Sequence, residues 1–238
     1  MVEARLVVAV PRPWRTWAPG LALRLGLVGL VGLVGACKRD NELPQHYEDP
    51  KSMIAVFEKD DRDAWQMPDR VIRALQIEAK DGVIADIGAG SGYFTRRLAR
   101  EVPGGKVFAV DVDDTFREYI EKNRESWGTP NIEPHLAFYD DPALPEAGVD
   151  LVFMANTYPY LRDRGAYLDR VKMSLRPGGR MAIISYREDA QVPGDDAPDP
   201  KYRVPKAQVI AEATAAGFVL EREENFLPYQ HYLIFKVP

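Results

Sequence analysis

The stretch VIADIGAGSG, residues 83–92, decides the fold of this chain. Its first half is an apolar run short enough to be a buried strand, and its second half is rich in glycine, which breaks regular structure. Residues 93–102 then have the pattern of a helix, and residues 106–110 form a second apolar run that ends at Asp111. We therefore predict a strand, a tight turn, a helix and a second strand, which is the start of an α/β fold.

The rest of the chain repeats this alternation. Further helices are predicted at 115–125, 162–175 and 205–216, and further strands at 131–138, 150–155 and 180–186. The runs 218–223 and 231–237 are close enough in sequence to pair as a hairpin. Pro134 cannot donate to a neighbouring strand, so its strand is expected at a sheet edge. The pattern predicts a doubly wound α/β fold with a mostly parallel sheet, whose ligand binds at the carboxyl ends of the strands.

The glycine-rich turn indicates the kind of ligand. Its spacing is GxGxG, and Tyr93 stands where a dinucleotide-binding fingerprint has its last glycine. Asp111 ends the second strand, where a carboxylate can accept hydrogen bonds from both hydroxyls of a ribose. The predicted ligand therefore carries a ribose and does not require a pyrophosphate.

Five segments together resemble the motifs of the class I S-adenosylmethionine-dependent methyltransferases, in order and at that family's spacing. The resemblance implies a Rossmann-like fold with a seven-stranded, mostly parallel sheet, an edge position for the third strand and an antiparallel last strand. It also implies S-adenosylmethionine as the cofactor. The segments are DIGAGSGYFTRRLA (86–99), VFAVDVDD (107–114), DDPALP (140–145), VDLVFMANTYPY (149–160) and LRPGGRMAII (175–184).

The resemblance assigns roles to residues. Asp111 is expected to hold the ribose hydroxyls and Asp86 to lie near the ammonium group of the cofactor. Asp140 or Asp141 is expected to meet the adenine amino group, with the other only a turn residue, and Asn156 to lie beside the methionine end. The alternative for Asp86 is that it only braces the loop. The full predicted cofactor-binding set is Asp86, Gly88, Ala89, Gly90, Gly92, Asp111, Val112, Asp140, Asp141 and Asn156.

Methyl transfer is a direct displacement, so the protein mainly has to align the reactants, and no universal catalytic residue is expected. Tyr158 and Tyr160 are the weak catalytic candidates, because segment 156–160 loosely resembles the (Asp/Asn)-Pro-Pro-(Tyr/Phe) motif of amino-group methyltransferases. Thr157 departs from that motif, and substrate packing or simple burial is the alternative for both tyrosines. Trp65 and Gln66, or loop 187–204, could close over the cofactor, with packing and solvation as the alternatives.

The N-terminal segment predicts export and anchoring. Residues 1–36 carry four arginines against one glutamate, followed by the uncharged run LGLVGLVGLVGAC at 25–37. This run is too short to span a bilayer and resembles the lipobox of bacterial lipoproteins, in which the cysteine is acylated. We therefore predict a signal peptide at 1–36, a lipidated Cys37 with a tether at 37–50, a methyltransferase domain at 51–238, and attachment to a membrane of the cell envelope. A start codon placed too far upstream, with a cytoplasmic protein, is the alternative.

Composition narrows the function further. One cysteine excludes an internal disulfide and a thiolate zinc cluster, and His46, His135 and His231 lack metal-ligand spacing, so no metal is predicted. A pI near 5.4 argues against nucleic acid as the partner. We predict methyl transfer to a small-molecule or lipid acceptor. The alternative is a catalytically silent lipoprotein of the same fold that acts in binding or envelope structure, since S-adenosylmethionine is made in the cytoplasm. A nicotinamide-dependent oxidoreductase is disfavoured by Tyr93.

Overall fold

The computed structural model describes residues 49–192 and 197–238. They form a seven-stranded sheet with helices on both faces, in the strand order β3-β2-β1-β4-β5-β7-β6. The strands are β1 Val83–Ile87, β2 Lys106–Asp111, β3 Ile132–Leu136, β4 Val149–Ala155, β5 Leu175–Tyr186, β6 Val219–Glu224 and β7 Gln230–Lys236. The first five are parallel, and β7 is antiparallel to both β5 and β6. The predicted fold class is confirmed.

Short helices precede and separate the strands. Their bounds are α1 Pro50–Phe57, α2 Arg62–Gln66, α3 Pro68–Ala74, α4 Thr95–Glu101, α5 Asp114–Asn123, α6 Arg164–Ser174 and α7 Lys206–Ala215, with single 3-10 turns at Tyr158–Tyr160 and Pro200–Tyr202. No helix in the described ranges is both long and apolar enough to cross a membrane. The predicted signal peptide, Cys37 and most of the tether lie outside the described residues, as do residues 193–196 of loop 187–204.

The sheet separates two apolar cores because successive side chains of a strand point to opposite faces. Ala85 and Ile87 of β1 pack with α6 and α7 on one face, while Ile84 packs with α3 and α4 on the other. Both faces of β1 are therefore buried, which explains why its sequence is a continuous apolar run rather than an alternating one.

The order of strands creates the place for a ligand. From β1 the chain crosses to β2 and then β3 on one side, and it returns to β4 on the other side of β1. Loops after β1 and β4 therefore leave the sheet toward opposite faces, and a crevice opens between them at the carboxyl ends. Pro134 lies on the edge strand β3, as its missing N–H required.

Candidate functional site

A cavity of about 420 Å³ lies at the carboxyl ends of β1, β2 and β4. Its wall combines the loop after β1, the end of β2, the segments after β3 and β4, and residues of α1 and α2. Most predicted cofactor-binding residues are on this wall, namely Asp86, Gly88, Ala89, Gly90, Asp111, Val112 and Asn156, together with the catalytic candidate Tyr160. The strand-end geometry thus brings together residues that are far apart in sequence.

Asp111 links the ends of two neighbouring strands. Its Oδ2 accepts a hydrogen bond from the Gly90 amide at 2.8 Å, and its Oδ1 accepts one from the Asp113 amide at 3.1 Å. Burial raises the pKa of this carboxyl, against the opposing effect of the backbone donors. Each carboxylate oxygen can accept a second hydrogen bond. Asp111 therefore braces the glycine loop and still has acceptor capacity directed at the cavity.

Asp86 has a different environment at the end of β1. Its Oδ2 accepts a hydrogen bond from the Thr95 hydroxyl at 2.6 Å, which fixes the first turn of α4. Burial, together with the nearby charge of Asp111, raises the pKa of Asp86 to about 7, although Thr95 and Arg62 act in the opposite direction. Asp86 thus braces the loop, and it also contributes a titratable carboxyl to the cavity wall.

The glycines of the loop are required first by the protein's own packing. Gly88 has a φ of +77°, and a Cβ there would lie 2.0 Å from the Thr157 hydroxyl oxygen. Gly90 has a φ of +54°, and its Cβ would lie 3.1 Å from the Phe57 ring. Protein side chains occupy the nearest space at both positions, so glycine is needed there whether or not a ligand is bound.

Four predicted residues lie elsewhere. Gly92 faces Trp127 rather than the cavity, and Asp140 is exposed to solvent. The Asp141 carboxylate accepts hydrogen bonds from the Ala143 amide at 2.8 Å and from Arg170 at 2.6 Å. The wall after β3 is instead made by residues 137–139, and neither aspartate lines the cavity. This segment turns back on itself through the pairing of residues 138 and 141, which directs the two aspartates away.

Tyr158 is the fourth of these residues. It is fully buried on the face covered by α7, and its hydroxyl donates to Glu212 at 2.6 Å. The same carboxylate accepts from Arg164 at 2.7 Å. Tyr158 therefore belongs to the packing between β4 and α7, and Tyr160 is the tyrosine of this segment that reaches the cavity wall.

Two helices, α1 and α2, supply a part of the wall that is here called the roof (Pro50–Phe57 and Arg62–Gln66), and of its lining residues the sequence analysis named only Trp65. The Arg62 guanidinium donates to the Phe57 carbonyl oxygen at 2.8 Å and lies 3.8 Å above the centroid of the Tyr93 ring. Burial lowers the pKa of Arg62. Trp65, considered as a cover for the cofactor, lines the cavity and lies 6.1 Å from the Tyr186 ring. The roof thus adds one cation and two aromatic rings to the wall.

Glu58, which follows α1, links the roof to the glycine loop and to α4. Glu58 accepts hydrogen bonds from Arg96 at 2.6 Å and 3.1 Å and from the Ser91 hydroxyl at 2.6 Å. Because Glu58 directly follows Phe57, these bonds hold the Phe57 ring over Gly90. No sequence pattern in residues 50–66 predicts this role of Glu58, because the role depends on which helix the segment contacts in the folded chain.

The described residues contain no cluster of three or more histidine, cysteine, aspartate or glutamate side chains that could hold a metal ion. The ionisable groups on the cavity wall are Arg62, Asp86, Asp111 and Arg162, together with tyrosine hydroxyls. The site is therefore an apolar and aromatic hollow with a carboxylate at the end of each of two adjacent strands.

Comparison with known proteins shows similarity to methyltransferases. Residues 84–179 match the model of a methyltransferase domain. The chain is 25% identical over 122 residues to a malonyl-[acyl-carrier protein] O-methyltransferase of Acetivibrio thermocellus, covering 51% of this chain and 42% of that protein. It is 29% identical over 134 residues to a dimethylglycine N-methyltransferase of Parasynechococcus marenigrum, covering 53% of this chain and 46% of the relative. The chain thus spans less than half the length of these curated relatives.

A solved structure resembles the whole described domain. It is a SAM-dependent methyltransferase from Aquifex aeolicus, with a TM-score of 0.74, 24% identity, and coverage of 81% of this chain and 100% of that chain. The family model and this solved structure are both those of methyltransferases, and the solved structure is named as SAM-dependent, so S-adenosylmethionine is the cofactor to compare with the site.

The residues present fit that cofactor. Asp111 lies in the cavity wall with unused acceptor capacity for a diol, and it is only 9% exposed. Asp86 supplies a second carboxyl close to the glycine loop, suited to an ammonium group. The aromatic rings of the roof and of the segment after β3 provide apolar surface for the remainder of a nucleoside.

Proposed function

We propose that this chain, whose residues 84–179 match the model of a methyltransferase domain, transfers a methyl group from S-adenosylmethionine to a small-molecule or lipid acceptor. The observation that carries the proposal is the Asp111 carboxylate. It ends β2, accepts the Gly90 amide at 2.8 Å and faces a cavity of the size of a ligand site.

The chemistry asks little of the protein beyond alignment. When bound, the cofactor supplies an electrophilic methyl group on a sulfonium sulfur, and the resulting thioether is the leaving group. On this proposal Asp111 holds the ribose hydroxyls, Asp86 faces the ammonium group, and the roof excludes water. Tyr160 and Trp65 border the space left for an acceptor, and their rings suit an apolar or planar molecule.

The first test measures binding to the full chain. We expect calorimetry to show one site for S-adenosylmethionine and for S-adenosylhomocysteine. The absence of heat at high protein concentration would overturn the enzyme proposal. Candidate acceptors can then be screened as small-molecule pools and as lipid extracts of the cell envelope, with S-adenosylhomocysteine formation as the readout. Tight cofactor binding without turnover on any pool would favour the silent lipoprotein of the same fold.

We further propose that Cys37 anchors the protein to a membrane of the cell envelope. The support is the basic leader and the short apolar run ending at Cys37 in the sequence. Two or more acyl chains hold a protein on a bilayer far better than one. Cys37→Ser should move the protein from the membrane fraction to the soluble fraction. A wild-type protein that is already soluble would contradict the anchor.

A further inference from the structure

We propose that Gln66 and Gln230 are positioning residues that fix the amide group of Asn156 for recognition of the amino-acid end of the cofactor. This inference rests on the proposed function. The three residues, here called the amide chain, come from three separate elements. Gln66 ends α2, Gln230 begins β7, and Asn156 follows β4.

Two hydrogen bonds connect the amide chain in one direction. Gln66 Nε2 donates to Gln230 Oε1 at 2.9 Å, and Gln230 Nε2 donates to Asn156 Oδ1 at 2.6 Å. Gln66 is fully buried and Gln230 is 2% exposed, so water does not compete for these groups. Because Asn156 Oδ1 is engaged, its Nδ2 is the group left to donate elsewhere.

The backbone of Asn156 is held as firmly as its side chain. Its φ is +63°, in the left-handed region that asparagine adopts more readily than most residues. Its amide N–H donates to the Ile184 carbonyl oxygen at 2.8 Å, which ties the turn after β4 to β5. Asn156 lines the cavity, whereas Gln66 and Gln230 lie behind the wall. The amide chain therefore supports a cavity residue from outside the cavity.

The cost of this arrangement argues for a role beyond packing. In the part of the chain that the structure describes, Gln66 Oε1 is buried and has no hydrogen-bond partner. A buried polar atom of this kind costs roughly 1–3 kcal/mol, and apolar side chains of similar shape would avoid the cost. A polar chain that leaves a buried atom unpaired at its far end, while its other end holds Asn156 Oδ1, suggests that its role is to orient Asn156.

The amide chain also joins the roof to the sheet. Arg62 lies one helical turn before Gln66 on α2 and lines the cavity. The position of α2 thus determines where the Arg62 cation lies on the wall and where Gln66 begins the amide chain. Arg62 and Asn156 Nδ2 are both hydrogen-bond donors, so this part of the wall suits an acceptor group such as the carboxylate of an amino acid.

The affinities of the full chain for two ligands distinguish a positioning role of Gln66 and Gln230 from a purely structural one. S-adenosylhomocysteine carries the amino-acid end, and 5′-methylthioadenosine lacks it but keeps the nucleoside. Gln66→Met and Gln230→Met should weaken S-adenosylhomocysteine at least about fivefold while changing 5′-methylthioadenosine by less than about twofold. Gln208→Met is the matched control, because Gln208 also donates one amide hydrogen bond, to Glu212 at 2.8 Å, away from the cavity wall.

Variants that introduce a carboxylate test the donor-to-acceptor direction of the hydrogen bonds in the amide chain. They also provide a second test if the methionine variants fail to fold. Glu at position 230 keeps the acceptor for Gln66 but cannot donate to Asn156, so Gln230→Glu should weaken S-adenosylhomocysteine selectively. Asn156→Asp keeps the acceptor for Gln230 and removes the donor facing the cavity, and it should weaken S-adenosylhomocysteine at least about tenfold with 5′-methylthioadenosine unchanged.

Equal loss of both ligands in folded variants would mean that the amide chain is structural and would overturn the proposal. Unchanged affinity for S-adenosylhomocysteine would overturn it as well. A wild-type protein that binds neither ligand would instead defeat the proposed function, so the two failures are distinguishable.

Discussion

The carboxylate of Asp111 accepts the backbone N–H of Gly90 at 2.8 Å, so the residue that ends β2 fixes the loop that follows β1. Gly90 cannot be held this way by its own strand, because it lies beyond the end of β1. One carboxylate therefore shapes the loop and faces the cavity at the same time. A variant that removes both side-chain oxygens changes the loop and the cavity together, so experiments have to separate the two effects.

Asp111→Ala should weaken S-adenosylhomocysteine at least about tenfold, since it removes the acceptor proposed for the ribose hydroxyls and leaves the Gly90 amide unpaired. Calorimetry measures the affinity and thermal unfolding measures the loss of stability. Asp111→Asn is the control, because its amide oxygen can still accept from Gly90. If the asparagine variant keeps both stability and full affinity, the charge on Asp111 has no part in holding the ligand.

Asp86 should make stability depend on pH. Its pKa in the folded chain is about 7, against 3.8 for an ordinary aspartate, because burial disfavours the charged form. The contribution of Asp86 to the free energy of unfolding is fully present below the pKa that this residue has in the unfolded chain. It is lost as pH rises through about 7, by up to roughly 4 kcal/mol. Denaturant unfolding of wild type and Asp86→Asn between about pH 4 and pH 8 measures this difference. Parallel curves for the two proteins would contradict the assigned pKa.

The same residue should release protons when the cofactor binds. An ammonium group beside Asp86 favours the ionised carboxylate, so binding at about pH 6.5 should expel part of a proton. Calorimetry in buffers with different ionisation enthalpies detects the release. Asp86→Asn should show none. Equal proton release from wild type and Asp86→Asn would show that the proton comes from a group other than Asp86.

Glu58→Gln should loosen the roof. The substitution removes the charge that Arg96 and Ser91 contact, and charge-assisted hydrogen bonds are about twice as strong as neutral ones. We expect S-adenosylhomocysteine to dissociate about fivefold faster, as measured by stopped-flow fluorescence. Glu101→Gln is the control, since Glu101 pairs with Lys80 at 3.4 Å on the surface. Similar rates for Glu58→Gln and wild type would show that the ion pair does not retain the ligand.

Substitutions of the two tyrosines after β4 should have different effects, one on stability and the other on turnover. Tyr158→Phe removes the hydrogen bond to Glu212 and should lower the free energy of unfolding by about 1 kcal/mol with cofactor affinity unchanged. Tyr160→Phe should lower kcat at least about tenfold with the acceptor found by screening. If Tyr160→Phe keeps full kcat, its hydroxyl takes no part in the reaction.

The sequence predicted the sheet because its evidence is local. The apolar runs at 83–87, 106–110 and 150–155 are periodic signals that a single strand carries by itself, and Pro134 marks an edge through one missing N–H. The strand-end positions of Asp86, Asp111 and Asn156 follow directly, since residues after parallel strands meet at one edge of the sheet. Their proposed roles toward the cofactor remain predictions.

The sequence did not determine the direction of a side chain where that direction depends on a turn. Asp140 and Asp141 occupy the expected stretch after β3, yet the pairing of residues 138 and 141 turns them outward. Tyr158 and Tyr160 are two residues apart in a 3-10 turn, and only Tyr160 reaches the cavity wall. A one-residue change in a turn redirects a side chain, and no periodic pattern fixes it.

The chain's own sequence thus determined the layers of the fold, the order of its elements and the strand ends at which a ligand would lie, because hydrophobic period and chain breakers act over a few residues. Only the tertiary structure decided what covers those strand ends. Phe57 lies over Gly90, Thr157 fills the space beside Gly88, and Gln66 contacts Gln230 across 164 positions of the chain. Such contacts depend on how α1 and α2 pack against the finished sheet, and that packing is set by the shape of the whole molecule rather than by any local pattern.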